Sequence, residues 1–233
     1  MIRSDDASCN ASQPFVEAAN RGLARVWIDF ESGLAQVPVI ARLLAGRIRL
    51  EDYQRLLVNL RQQVVEGSRW ISRAASNLSP QHEELRSLFV RHAVAEHRDF
   101  RLLEQNYVAT GGKLADIQGT PKNIGSEALS AFMYHAASRP DPLGLLGAMF
   151  VIEGLGERLA VPWAAALREQ LALADEALSF LAYHGEHDGG HLDMFDRALT
   201  LAVTDQAIAD DVVRHAKVVA RLYRLQLEEL DNV

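Results

Sequence analysis

Apolar residues recur at helical spacing almost from end to end of this chain, and no segment alternates apolar and polar residues as a half-buried strand does. A fold without strands must bury its surface helix against helix, so the class is all-α and the architecture a bundle. Breaks in the pattern set the expected elements. A first helix is expected over about 14–30 and a short one over 37–45. Leu50-Glu51-Asp52 opens a long helix that ends near Asn77. Ser79-Pro80 stops the chain and starts another, over 80–109, which Gly111-Gly112 ends. Residues 112–124, with Pro121, read as a loop, and Ser126 is placed to cap a helix reaching about Ser138. Asp141-Pro142 sets an N-cap before a proline at the first helical position of a helix to about 170, kinked or split at Pro162. Two further helices are expected over 175–200 and 205–230. The sum is a single bundle of seven or so helices over 13–233, behind a polar tail of residues 1–12 expected to be disordered.

Composition removes several function classes. The formal net charge is −7 and no basic run occurs, which argues against nucleic-acid binding. The single cysteine, Cys9, rules out an intramolecular disulfide and a thiolate metal site. The start, MIRSDDASCNASQ, lacks the apolar core of a secretory signal. The longest apolar run, 143-LGLLGAMFVI-152, is too short for a bilayer span. A cytoplasmic protein with no membrane partner is expected.

Against this plain background, 183-YHGEHDGGHLDMF-195 stands out. At 100° per residue, His184, Asp188 and His191 share one helix face, while His187 lies further round. Two imidazoles beside a carboxylate suit iron, manganese or zinc. Gly185, Gly189 and Gly190 each weaken a helix by about 1 kcal/mol relative to alanine, so close approach of another helix or space for a ligand is expected there. A second set lies in 80–109, where the stripe Leu85, Phe89, Leu103, Tyr107 is interrupted by His92, Glu96 and Asp99. Ionisable groups on a core stripe are paired, protonated or bound to metal, so a buried ion-pair cluster is the competing reading. Glu153 ends the apolar run Leu146, Met149, Phe150, with Glu157 one turn on. Glu66 sits in a mixed row, Asn59, Gln63, Glu66, Trp70, that could equally face water.

Taken together, Glu66, the His92/Asp99 pair, Glu153 and H184-x3-D188-x2-H191 resemble the haem-oxygenase-like diiron oxidases and oxygenases, over about Pro38–Leu199. The segments 45-AGRIRLEDYQRLL-57 and 143-LGLLGAMFVIEGLGE-157 belong to the same resemblance. It implies the seven-helix fold shared with TenA and PQQ-synthase C proteins. It also implies two ferrous ions held by Glu66, His92, Asp99, Glu153, His184, Asp188 and His191, with Glu96 as a further ligand or a neighbour of one. Dioxygen would be the co-substrate, a small amino-acid-like or fatty-acid-like molecule the substrate, and a homodimer a frequent assembly of the fold. One departure marks the second ligand helix: the family has a glutamate followed by a histidine, and here His92 precedes Asp99. A haem-binding member needs a histidine in its first helix, and none precedes His82; a thiaminase-type member needs an active-site cysteine, and Cys9 lies in the tail. Two alternatives stay open, a metal-free TenA-like or PQQ-synthase C-like enzyme and a non-catalytic metal- or ligand-binding helical protein.

Overall fold

The structure, a computed structural model, describes the backbone of residues 5–187 and 189–232 and the side chains of residues 12–185 and 194–232. Among the described residues there is no strand, and the helical class holds. The segments are more numerous than the sequence pattern suggests: α1 (Asp5–Leu34), α2 (Pro38–Leu44), α3 (Leu50–Asn77), α4 (Glu83–Glu96), α5 (Phe100–Ala109), α6 (Leu114–Gly119), α7 (Ile124–Ala137), α8 (Leu145–Leu155), α9 (Val161–Leu171), α10 (Ser179–His187), α11 (Gly189–Ala202) and α12 (Gln206–Glu228). The tail reading of residues 1–12 falls largely outside the described side chains.

The additional boundaries have local causes. The 80–109 helix is interrupted by a turn at residues 97–99, so α5 sets off in its own direction. The 141–170 helix is divided by a π-helical turn, Gly156–Ala160. Pro162 follows at once; it lacks the N–H an α-helix would direct at residue 158, and a wider turn absorbs the mismatch. Inside the expected loop, α6 forms because Ile117 finds a fully buried seat. Two expected caps are reassigned. Asn123, not Ser126, caps α7 by accepting the Ser126 backbone N–H at 2.8 Å. Asp141 does not cap α8, which begins at Leu145; its carboxylate instead accepts the Ser79 N–H at 2.6 Å from a backbone with φ of 43°. Asp205 does cap α12, accepting from Ile208 at 2.9 Å.

The core gathers around α12, which packs against α1, α7 and α8. Helix α8 is apolar on all sides, as a helix surrounded by others must be, and it is buried from Leu145 to Met149. The approach is closest at Gly147, where an added Cβ would lie 1.9 Å from the Val212 carbonyl oxygen. The mixed row of α3 faces inward, with Asn59, Gln63 and Trp70 all buried. Asn59 donates to Ser126 Oγ at 2.9 Å and to the Gln226 carbonyl at 3.3 Å, tying α3 to α7 and α12. Packing therefore fixes the spacing of α3, α4 and α8, and with it the polar cluster between them.

Candidate metal centre

The polar cluster is assembled from helices far apart in sequence. Helix α4 presents His92 and Glu96 one turn apart. Helix α8 brings Glu153, whose Oε1 lies 3.0 Å from His92 Nε2; Glu96 Oε1 is 3.9 Å from the same nitrogen. One donor atom from each of the three residues lies within 4.8 Å of the others. Beside them, Asp99 Oδ2 lies 3.6 Å from His184 Nε2. His92, Asp99 and Glu153 are buried and only 16% of the Glu96 side chain is exposed. The structure thus brings together five of the residues singled out from the sequence: His92, Glu96, Asp99, Glu153 and His184.

The route by which they meet differs from the expected one. Asp99 does not ride on the stripe of His92 and Glu96, because α4 ends at Glu96; the turn that follows carries Asp99 to α10. His184 is aimed by its own neighbours. Asn106 of α5 donates to the Glu176 carbonyl and Ser179 Oγ, both at 2.7 Å, and accepts from the Phe180 N–H at 3.0 Å. That side chain anchors the start of α10, and the Phe180 ring packs on the His184 ring with centroids 4.4 Å apart. His97, in the turn after α4, is exposed. The side chains of Asp188 and His191 lie outside the described residues, as do the surroundings of Gly189 and Gly190. Gly185 is accounted for by close packing: an added Cβ would meet Val161 Cγ2 at 2.3 Å.

Glu66 sits apart from this group. It is not a member of the three-residue donor group. Its carboxylate accepts from Lys122 at 2.8 Å, from the Tyr134 hydroxyl at 2.6 Å and from Arg69 at 3.1 Å. Burial works to raise the Glu66 carboxyl, but the hydrogen bonds from Lys122 and Tyr134 outweigh it and hold the group below its ordinary value. Gln63, one turn earlier on α3, is the residue that faces the cavity beside Glu96 and Glu153. That cavity, about 90 Å³, is walled chiefly by apolar groups such as Leu60, Ile152, Trp163 and Phe180, and reaches His184 and Tyr223. The sequence carried no signal for either: Gln63 sits in a mixed row that could equally face water, and Tyr223 on an ordinary buried helix stripe.

The donor set fits a cation. Burial, and then repulsion from Glu153, pushes the Glu96 carboxyl up to about 7; His92 and His184 pull the other way and Asp99 adds to the push. Three carboxylates gathered out of water repel one another unless protons or a metal ion take up the charge. Oxygen and imidazole donors together suit a first-row transition metal, iron among them.

Comparison with known proteins agrees with the geometry. Residues 68–224 match a family described as iron-containing redox enzyme. No protein of curated function matches the sequence. Among solved structures, a domain of unknown function with a haem-oxygenase-like fold from Shewanella denitrificans superposes with a TM-score of 0.84 at 18% identity, covering 90% of each chain. A TenA homologue from Pseudomonas syringae gives 0.71 at 14% identity, over 90% of this chain and 92% of that one. A TenA homologue from P. horikoshii gives 0.67 at 16% identity, over 93% and 97%. At these identities the likeness establishes the haem-oxygenase-like fold and nothing finer.

Proposed function

The chain belongs to the family of iron-containing redox enzymes, and from that premise we propose that it is a non-haem diiron oxidase or oxygenase acting with dioxygen on a small organic substrate. The observation that carries the reading is the convergence of His92, Glu96 and Glu153, with Asp99 and His184 alongside, in a buried interhelical space. These five side chains, with Asp188 and His191, would hold two ferrous ions. Bound there, the ions would supply the electrons that activate dioxygen.

The chain's own residues supply position and environment. The 3.0 Å His92–Glu153 contact sets the orientation of the imidazole across the gap between α4 and α8. Asn106 fixes α10 and so the reach of His184. Leu60, Ile152, Leu155 and Phe180 keep the neighbouring cavity apolar, which excludes water and suits the carbon chain of an amino-acid-like or fatty-acid-like substrate. Gln63 is the uncharged polar group available there to orient a polar end of that substrate.

The test is an anaerobic ferrous-iron titration of the wild type and of His92→Ala, followed by exposure to oxygen. The expected result is about two irons per wild-type chain, oxygen-dependent spectral change, and loss of both in the variant. Full activity in excess chelator would instead establish a metal-free enzyme, with the His92–Glu153 pair as proton carrier. Stoichiometric iron uptake without oxygen consumption would leave a metal-binding protein.

A further inference from the structure

A second void touches the same cluster and differs in kind from the cavity already described. It is small, about 20 Å³, room for one molecule of water size. Leu88, Phe89, Leu146 and Ala198 form its walls, all buried, with Met149, Phe195 and the half-buried Met194 completing the apolar lining. The polar groups on its border are His92 and Glu153. Glu153 therefore borders both spaces: this one, and the larger cavity that also reaches Glu96 and His184.

The chemistry of the walls selects the occupant. A buried water needs two to four polar partners. Here the two polar groups lie 3.0 Å from each other, and everything else is hydrocarbon, aromatic ring or thioether. A charged or hydrogen-bonding molecule would lose its hydration with little in exchange. A neutral, apolar diatomic gives up almost nothing on leaving water, and it fits the size. We infer that this void is a holding site for dioxygen at the His92–Glu153 edge of the cluster, separate from the cavity that takes the organic substrate. The inference rests on the oxygen-using reading above, but its first test does not need iron.

Metal-free protein carrying methyl labels on Met and Leu is equilibrated under nitrogen and then under dioxygen at pressure. Dissolved dioxygen is paramagnetic and speeds the relaxation of methyls it touches. The Met149, Leu88 and Leu146 methyls are expected to relax faster with oxygen pressure than those of Leu23 and Leu103, which are also buried, as fully as Leu146, but do not line the void. Ala198→Leu should fill the space and abolish the effect, and Leu88→Phe is a second plug should the first not fold. In the iron-loaded plugged protein, oxygen consumption should fall about tenfold with iron uptake unchanged. Equal relaxation at all five residues overturns the inference, whatever the iron does. So does a plug that abolishes the relaxation effect yet leaves the oxygen rate untouched. A wild type that binds no iron defeats the diiron reading instead, and the relaxation data alone then decide whether the void holds dioxygen.

Discussion

Replacing Gly147 by alanine sets two physical effects against each other, and the structure decides the sign. Helix propensity alone favours the change by about 1 kcal/mol, since alanine loses less backbone freedom in a helix interior. At Gly147, however, the new Cβ would stand 1.9 Å from the Val212 carbonyl oxygen and 2.8 Å from the Ala216 nitrogen. Both obstacles are backbone, so no rotamer change relieves them. Helix α8 must retreat from α12 by more than about 1 Å before the contact even reaches the shortest distance real Cβ atoms show. Overpacking of this kind costs on the order of 1–3 kcal/mol, and more when backbone has to move. After the propensity gain, the net effect is a loss of about 2 kcal/mol, a fall in Tm of roughly 5 °C for a chain of this length. Because α8 also carries Glu153, ferrous affinity should weaken with it. Gly67→Ala is the control: it lies inside α3 with nothing within 4 Å of the added atom, and should gain up to about 1 kcal/mol. Urea unfolding of the metal-free proteins measures both. A Gly147→Ala variant as stable as the wild type would refute the α8–α12 spacing and the placement of Glu153 that depends on it.

Two further outcomes bear on the site. The Glu96 carboxyl is raised from 4.5 to about 7 in the fold, so the metal-free protein should be most stable, as far as this group is concerned, below pH 4.5 and lose that stability as pH rises through 7. The full difference is roughly 3 kcal/mol; Glu96→Gln should remove it and unfold at higher urea than the wild type at pH 8, whereas parallel pH profiles would show that Glu96 is not in this environment. Glu66→Gln should leave ferrous binding unchanged while costing roughly 1–2 kcal/mol, because Lys122 and Tyr134 lose a charged acceptor. Since the folded Glu66 carboxyl is held below its ordinary value, its contribution is present at neutral pH and disappears as pH falls through that lowered value. Lost iron in this variant would return Glu66 to the ligand set.

The residues that meet in the polar cluster were legible where an ionisable group interrupts an apolar stripe. His92 and Glu96 stood out between Phe89 and Leu103, and Glu153 at the end of an apolar run; a charged side chain in such a position needs a partner, and the structure supplies one for each. Glu66 did not stand out in this way because its row already contained Asn59 and Gln63, and helical period does not tell a polar side chain bonded inside the core from one facing water. Asp141 failed because a carboxylate before a proline satisfies the capping rule, yet the Ser79 N–H, sixty-two positions away, held it more firmly.

Periodicity, punctuation and the places where charge breaks an apolar stripe are local properties, and they determined the all-α class, the positions of α2, α3, α7 and α12, and the short set of residues from which a metal centre could be drawn. The meeting of α4 with α8, the turn that delivers Asp99 to His184, the diversion of Glu66 to Lys122, and the two cavities that share Glu153 were decided by packing. Those features depend on distances between helices remote in sequence. Such distances are set by side-chain volume and by close approaches such as Gly147 against Val212, which no periodicity along one chain records.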